Sequence, residues 1–323
     1  MIKNILIYNS GGGVGDSIQL FDIVSSLKKN FSQSKIYYLG AHQNHFSGLL
    51  KDFNLSLETL NLDIKYFGFR WRHLFIAKKR FTNLNIGKID LVIDLQSKLR
   101  NTLILKQIPC KYFYSPTYNF RFTSIKKNYH KSNYNNKITI QNLEKLTSQK
   151  IDYEKYNLVS INEDFFIEAR KLLPLNNYIG FSLTQGNLYR KKSWDIEKFI
   201  KLAKLVSNKD YIPVFFVQKE HAEIIEKIKS EVENALFPEE MSNFSGPAFV
   251  TALSTCLKKA ISIDNGIMHM IGLSKIPMIV LFGPTNSNKF IPRKDNIKVL
   301  DSKKMYNSND INKITVEDVI DLI

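Results

Sequence analysis

The sequence predicts an α/β protein built as two parallel-sheet halves. Three observations carry this: a strand-loop-helix unit at residues 3–27, a strand-loop-helix-loop-strand unit at residues 260–282, and a fresh series of buried strands beginning after Pro174. The halves are expected at residues 1–170 and 171–323, and 323 residues with 44% hydrophobic content can fill two cores of ordinary domain size.

The first strand, residues 3–8, runs into Ser10-Gly11-Gly12-Gly13-Val14-Gly15-Asp16-Ser17, after which Ile18, Phe21, Ile23, Val24 and Leu27 recur at helical spacing. The glycines invite a dinucleotide reading. Asp16, however, stands where the third Gly of that fingerprint belongs, and no Gly-Lys-Ser/Thr exists for a P-loop. A carboxylate at a helix start also suits plain capping, because it satisfies N–H groups and complements the macrodipole. Residues 35–40 predict a strand, 42–50 a helix and 55–60 a weaker strand. His42 and His45 would share a helical face, but no third ligand completes a metal site, so surface or supporting roles fit better. Residues 70–81 have helical periodicity with a basic face, 90–95 is a buried strand in which Asp94 fits a strand-end cap, and residue 96 opens the next helix. From about residue 112 to 156 the pattern loosens into Asn-, Tyr- and Lys-rich loops around one helix at 141–149, which marks the region between the halves.

In the second half, strands are expected at 178–183, 212–217, 260–263 and 277–282, with helices at 195–206, 220–232 and 249–257. The stretch 260–285 says most about chemistry. Asp264-Asn265-Gly266 breaks a buried strand before helical spacing resumes at Met268, Ile271 and Gly272. The loop thus opens on the carboxyl edge of the sheet, where ligands of open α/β sheets bind. Gly266 lets backbone come close, the helix offers unpaired N–H groups, and Asp264 and Asn265 can bond sugar hydroxyls, which suits a nucleotide diphosphate. A plain N-cap at a βα junction accounts for the same residues, with His269 a polar residue of the first turn. Residues 182–194 form a long loop ending at a helix. A cation there, among Arg190, Lys191 and Lys192, would stabilise charge growing on a departing nucleoside diphosphate, or would simply be solvated. Glu220 could accept from a ribose hydroxyl or serve as an ordinary helix N-terminal acid.

Net charge is +16, from 46 basic and 30 acidic residues, and it is concentrated. Residues 64–143 hold 16 Lys and Arg against Asp90 and Asp94 alone, a local +14 with aromatic residues interleaved. Such a segment favours phosphate-rich partners, whether nucleic acid, anionic membrane or phosphorylated glycolipid; for any single Lys a solvated face is the simpler account. Cys110 and Cys256 are too few for a disulfide framework and lack metal-ligand spacing, which points to a reducing compartment. The start MIKNILIY does not fit a signal peptide, and no apolar run approaches about 18 residues, so a cytoplasmic protein is expected.

Asp264-Asn265-Gly266-Ile267-Met268-His269, followed by Val280-Leu281-Phe282-Gly283-Pro284-Thr285, resembles the D-S-G-P-M-H and L-F-G-P-T signatures of the lipopolysaccharide heptosyltransferases, glycosyltransferase family 9. Gly11 to Asp16 is similar to that family's G-G-x-G-D, residues 94–100 to its D-L-Q-x-x-L-R, and Lys192-Ser193-Trp194 to its K-x-W, in family order across nearly the whole chain. Asn265 stands where Ser is usual and Ile267 where Pro is usual. Pro there is preorganising, so its loss should loosen the loop slightly without removing a ligand contact, while the Asn bears on donor selectivity.

The resemblance implies the GT-B fold, two facing Rossmann-like α/β domains with a cleft between them, acceptor in the amino domain and donor in the carboxyl domain. It implies an inverting, metal-independent transfer of heptose from ADP-heptose, a substrate and not a cofactor, to lipopolysaccharide core or a related surface glycan. Asp16 would be the catalytic base and Lys192 would neutralise the donor diphosphate. Thr184, Glu220, Asp264, Asn265, Gly266, Met268 and His269 complete the donor candidates; Gly12, Gly13, Gly15, Gln96, Lys98 and Arg100 are the acceptor candidates. No cofactor and no metal are expected, in keeping with the lack of a D-x-D run. The implied partners are a nucleotide sugar, a phosphorylated glycolipid and the anionic inner face of the cytoplasmic membrane, with no nucleic acid. Alternatives are a GT-B transferase using another donor, or a catalytically silent binder of anionic polysaccharide or nucleic acid; a pure binder has no need of a carboxylate such as Asp16.

Overall fold

The structure, a computed structural model, describes residues 2–132, 135–184, 192–292 and 296–323. The chain divides into two compact units, Met1–Asn157 and Leu158–Ile323. Residues 158–170, expected in the first half, thus fall in the second. The helix Glu163–Leu172 explains this, because it packs on the helix Pro247–Ser254 of the second unit.

The first unit carries β1 (Asn4–Asn9), β2 (Lys35–Gly40), β3 (Glu58–Thr59), β4 (Ile89–Asp94) and β5 (Cys110–Tyr114), all parallel in the order β3-β2-β1-β4-β5. Its central strands are buried along almost their whole length, as parallel strands covered by helices on both faces must be. Leu6, Tyr8, Val92, Phe113, Ala77 and Phe81 meet in one core cluster. The second unit repeats the plan with β6 (Tyr178–Ser182), β7 (Ile212–Phe215), β8 (Lys259–Ile263), β9 (Met278–Phe282) and β10 (Ile297–Asp301), again parallel, in the order β10-β9-β8-β6-β7. Phe181, Trp194, Phe199, Phe215 and Leu281 anchor its core.

Several sequence expectations need correction: the helix expected at 141–149 is Asn136–Thr147, and the one expected to open at residue 96 begins at Leu99. Residues 42–50 are not a helix: the Asn44 side chain accepts from Phe46 N at 3.0 Å and opens only a short 3₁₀ turn, His45–Ser47, so His42 and His45 do not share a helical face. The strand expected at 55–60 shrinks to the two residues of β3 at the sheet edge. The helix expected at 70–81 is His73–Asn83, because residues 70–75 enter it through i→i+3 turns. No helix among the described residues is long and apolar enough to cross a membrane.

Candidate functional site

Both sheets reverse their strand order once, between β1 and β4 in the first unit and between β6 and β8 in the second. Ligands of open α/β sheets bind at the carboxyl end of such a switch point. The glycine loop leaves β1 there, and Asp264-Asn265-Gly266 leaves β8 there.

The glycine loop is held by Asn9, which no sequence motif marks, together with Gln96 of the run at 94–100 and His45. Asn9 Oδ1 accepts from Gly11 N at 3.2 Å and from Gln96 Nε2 at 2.6 Å, while Asn9 Nδ2 donates to Asp16 O at 3.4 Å. His45 Nε2 donates to Gly12 O at 3.2 Å. Asp16 lies in the first turn of the helix Val14–Ile18, and its Oδ2 accepts from Gly13 N at 3.2 Å. The capping role weighed from sequence is therefore realised, yet it uses one oxygen; Oδ1 takes no hydrogen bond from the described residues. The half-buried carboxylate thus keeps an oxygen that can accept a proton.

A Cβ on Gly11 would lie 2.5 Å from Asp16 Cγ, and one on Gly12 only 2.2 Å from His42 Cδ2. Close packing thus requires glycine against the carboxylate at Gly11 and against the His42 ring at Gly12. Gly11→Ala should displace Asp16; with the base role that the family resemblance implies, kcat should fall by about 10²-fold, the scale of an ångström-sized misplacement, with little change in donor affinity. Steady-state rates and a donor titration check this; parent-like kcat would mean the loop absorbs the methyl group without moving Asp16.

Beneath the loop, Asp94 is fully buried, and it makes no ion pair among the described residues. Its Oδ2 accepts from Thr102 Oγ1 at 2.7 Å and Ser115 Oγ at 2.8 Å, and its Oδ1 accepts from Gln96 N at 2.9 Å. Burial outweighs these bonds and pushes the carboxyl up to about 6. Between the ordinary value near 4 and 6, the folded chain holds the proton more tightly than the unfolded one, so this group favours folding at low pH and loses that effect as pH rises. Asp94→Asn should remove the loss. Its stability relative to the parent should improve between about pH 4 and 6.5 and then level off, as read by denaturant midpoints. An unchanged difference across that range would place the titration elsewhere.

An open cavity of about 380 Å³ adjoins the loop at the carboxyl end of β2, lined by Tyr38, Gly40, His42, Asn61, Lys65 and Tyr66 among others. The rings of His42, Tyr66 and Phe69 cluster there with centroids 5.6 to 6.0 Å apart, and Lys65 Nζ lies 5.1 Å from the Tyr66 ring centroid. Its size falls within the range of small-ligand sites. The sequence signal for it was the basic and aromatic run at residues 65–72, which was read as a surface for phosphate-rich partners and not as a cavity wall.

In the second unit, Lys192 Nζ meets Asp264 Oδ2 at 2.6 Å, with both side chains largely buried, and lies 5.9 Å from the Phe290 ring centroid. Trp194, two residues on, fixes this segment: its Nε1 donates to Ile314 O at 2.9 Å and its ring packs edge-on against Phe199. Asn265 caps the helix Gly266–Leu273 by accepting from Met268 N at 2.8 Å, and its Nδ2 donates to Ser182 Oγ at 2.7 Å and Thr184 O at 2.8 Å. The carboxamide therefore ties two βα loops together. Where the resembled family has Ser, this Asn supports the two loops. Among the described residues nothing lies within 4 Å of a Cβ placed on Gly266, which leaves this backbone open to approach from them. Gly283, by contrast, is needed for packing, since a Cβ there would sit 2.9 Å from Ile311 Cβ.

The other candidates sort by burial and partner. Met268 is fully buried on the apolar face of its helix, and its N–H is used by the Asn265 cap. Gly15 is buried inside its helix. Gln96 spends its amide on Asn9, and Arg100 Nε donates to Gly68 O at 2.8 Å, which braces the segment beside the cavity. Lys98 is exposed at a helix start, His269 is buried on the first turn of its helix, and Glu220 is exposed. Beyond Glu220 the sequence reading missed Glu239, a buried acid whose Oε1 has no hydrogen-bond partner among the described residues. Burial and the Glu220 charge push its carboxyl up to about 7. Arg190 and Lys191 lie outside the described residues.

Two Rossmann-like units, each with a ligand-ready loop at its switch point, are the GT-B plan of nucleotide-sugar enzymes. Solved structures share it. The chain is similar to a glycosyl transferase family 9 protein from Veillonella parvula (19% identity, 99% of this chain and 95% of that one, TM-score 0.68). It is similar to E. coli heptosyltransferase WaaC, solved with ADP-2-deoxy-2-fluoro heptose (15%, 99% and 98%, 0.67). It is also similar to UDP-GlcNAc 2-epimerase from Neisseria meningitidis bound to UDP-GlcNAc (14%, 99% and 90%, 0.56). At such identities the likeness is one of fold. A search of curated proteins found no match. Residues 79–320 match glycosyltransferase family 9 (heptosyltransferase), well over half of the chain, and the protein belongs to that family.

Proposed function

We propose that the protein transfers heptose from ADP-heptose to lipopolysaccharide core or a related phosphorylated surface glycan, with inversion and without a metal ion. The observation that carries this is the buried Lys192–Asp264 pair beside the open Gly266 backbone at the β6/β8 switch point, in a family 9 chain. Asp264 balances the ammonium in the free chain, and a donor diphosphate placed there would share it while taking N–H groups from the helix start. In the first unit, Asp16 would accept the proton of an acceptor hydroxyl as its oxygen attacks the anomeric carbon; the bond to ADP breaks with its electron pair leaving on the diphosphate. Inversion follows from that single displacement. The cavity beside Gly12, with its ring cluster and Lys65, suits an acidic or phosphorylated sugar of the acceptor. The setting is the cytoplasmic side of an anionic membrane that carries the acceptor.

Thermal stabilisation by a panel of nucleotide sugars tests the donor assignment, because binding to the folded state raises stability with ln(1 + [L]/Kd). ADP-heptose and ADP should stabilise with or without EDTA, and UDP-sugars should not. Stabilisation by UDP-sugars alone would replace the donor; loss with EDTA would restore a metal.

A further inference from the structure

The helix His73–Asn83 packs on its unit through His73, Ala77 and Phe81, spaced four residues apart on one face. The opposite face is not the polar surface expected of an amphipathic helix. Phe75 is 81% exposed and Ile76 38%, and Trp71, in the turn that leads into the helix four residues before Phe75, is 53% exposed. Arg72, Lys78 and Lys79 stand exposed around them, and among the described residues none of the three takes part in an ion pair. Aromatic side chains projecting between unpaired cations have the composition of a surface that enters a lipid-water boundary. The rings displace headgroup water at the acyl boundary while the cations meet anionic headgroups.

We infer that Trp71 and Phe75 insert into the surface of an anionic bilayer and that Lys78 and Lys79 hold them there. This deepens the proposed function, on which it rests, by naming the element that keeps the enzyme at the membrane. The occupant is the bilayer because the apolar side chains are flanked by positive charge on both sides and because the proposed acceptor resides there.

The chain offers its own reporter. It has two tryptophans, and Trp194 is 2% exposed, so emission changes on adding vesicles read Trp71. With phosphatidylglycerol-containing vesicles the full-length protein should show a blue shift and quenching by lipids brominated near the headgroup. Pure phosphatidylcholine vesicles should produce neither, and added salt should reverse the binding. Phe75→Ser removes no core contact and should weaken vesicle partition about 10-fold or more; Lys78→Glu with Lys79→Glu should abolish it. Both variants should glycosylate an acyl-free soluble acceptor within about twofold of the parent, yet lose transfer to the same glycan displayed on vesicles in step with partition. An emission spectrum unmoved by anionic vesicles would overturn the inference, as would parent-like partition of Phe75→Ser, or a response to an oligonucleotide in place of vesicles. Failure of the parent on every soluble acceptor would instead strike the transferase reading and leave the vesicle result standing.

Discussion

Asp16→Asn should lower kcat by on the order of 10²-fold or more while leaving donor affinity within about twofold. The asparagine keeps the shape and can still accept from Gly13 N, the one hydrogen bond that Oδ2 makes, so the loop and the helix Val14–Ile18 should remain in place. What is lost is the ability to take a proton. The substitution therefore separates the two roles weighed for this residue: a cap survives it and a base does not. Single-turnover rates at saturating donor, with an ADP titration alongside, measure the two effects. A turnover near that of the parent would reduce Asp16 to its capping bond.

Lys192→Met should produce the second large effect, on both donor binding and stability. It strands Asp264, 6% exposed, as a buried carboxylate without its ammonium. Breaking a buried pair in this way typically costs about 3–5 kcal/mol. Donor affinity should fall as well, and kcat further, because charge on the departing diphosphate is greater in the transition state than in the bound donor. The double substitution Lys192→Met with Asp264→Asn removes the stranded charge, so it should recover much of the stability and none of the donor affinity. That pattern distinguishes a lysine that binds diphosphate from one that only balances Asp264. Recovery of donor affinity in the double variant would leave Lys192 a structural cation.

Much of the fold was legible because parallel sheets bury their central strands on both faces. Residues 35–40 were read to the residue as β2, and the loops after β1 and β8 were placed where they occur. The strands missed were β5 and β10, both at sheet edges, where Lys111 and Lys298 interrupt the apolar run. In the sites, sequence motifs pointed to Asp16, Lys192 and Asp264, residues whose identity is tied to charge. Gln96 and His45 were noted, but their contacts, and Asn9 altogether, were not legible for a physical reason: Asn9 and Gln96 are 87 residues apart, and His45 reaches Gly12 across 33. Such contacts exist only once the sheet has brought the strand ends together. Asn265 was read at the right place with two open roles, and its full set of hydrogen bonds favours the structural one.

The most direct test is transfer itself: the purified protein, ADP-heptose and an acyl-free core glycan acceptor, followed by ADP release and by the mass and anomeric configuration of the product. The proposed function requires one heptosyl unit gained per ADP released, an anomeric configuration opposite to that of the donor, no loss of rate in EDTA, and near silence from Asp16→Asn. Retained configuration, or transfer that Asp16→Asn supports as well as the parent, would contradict it.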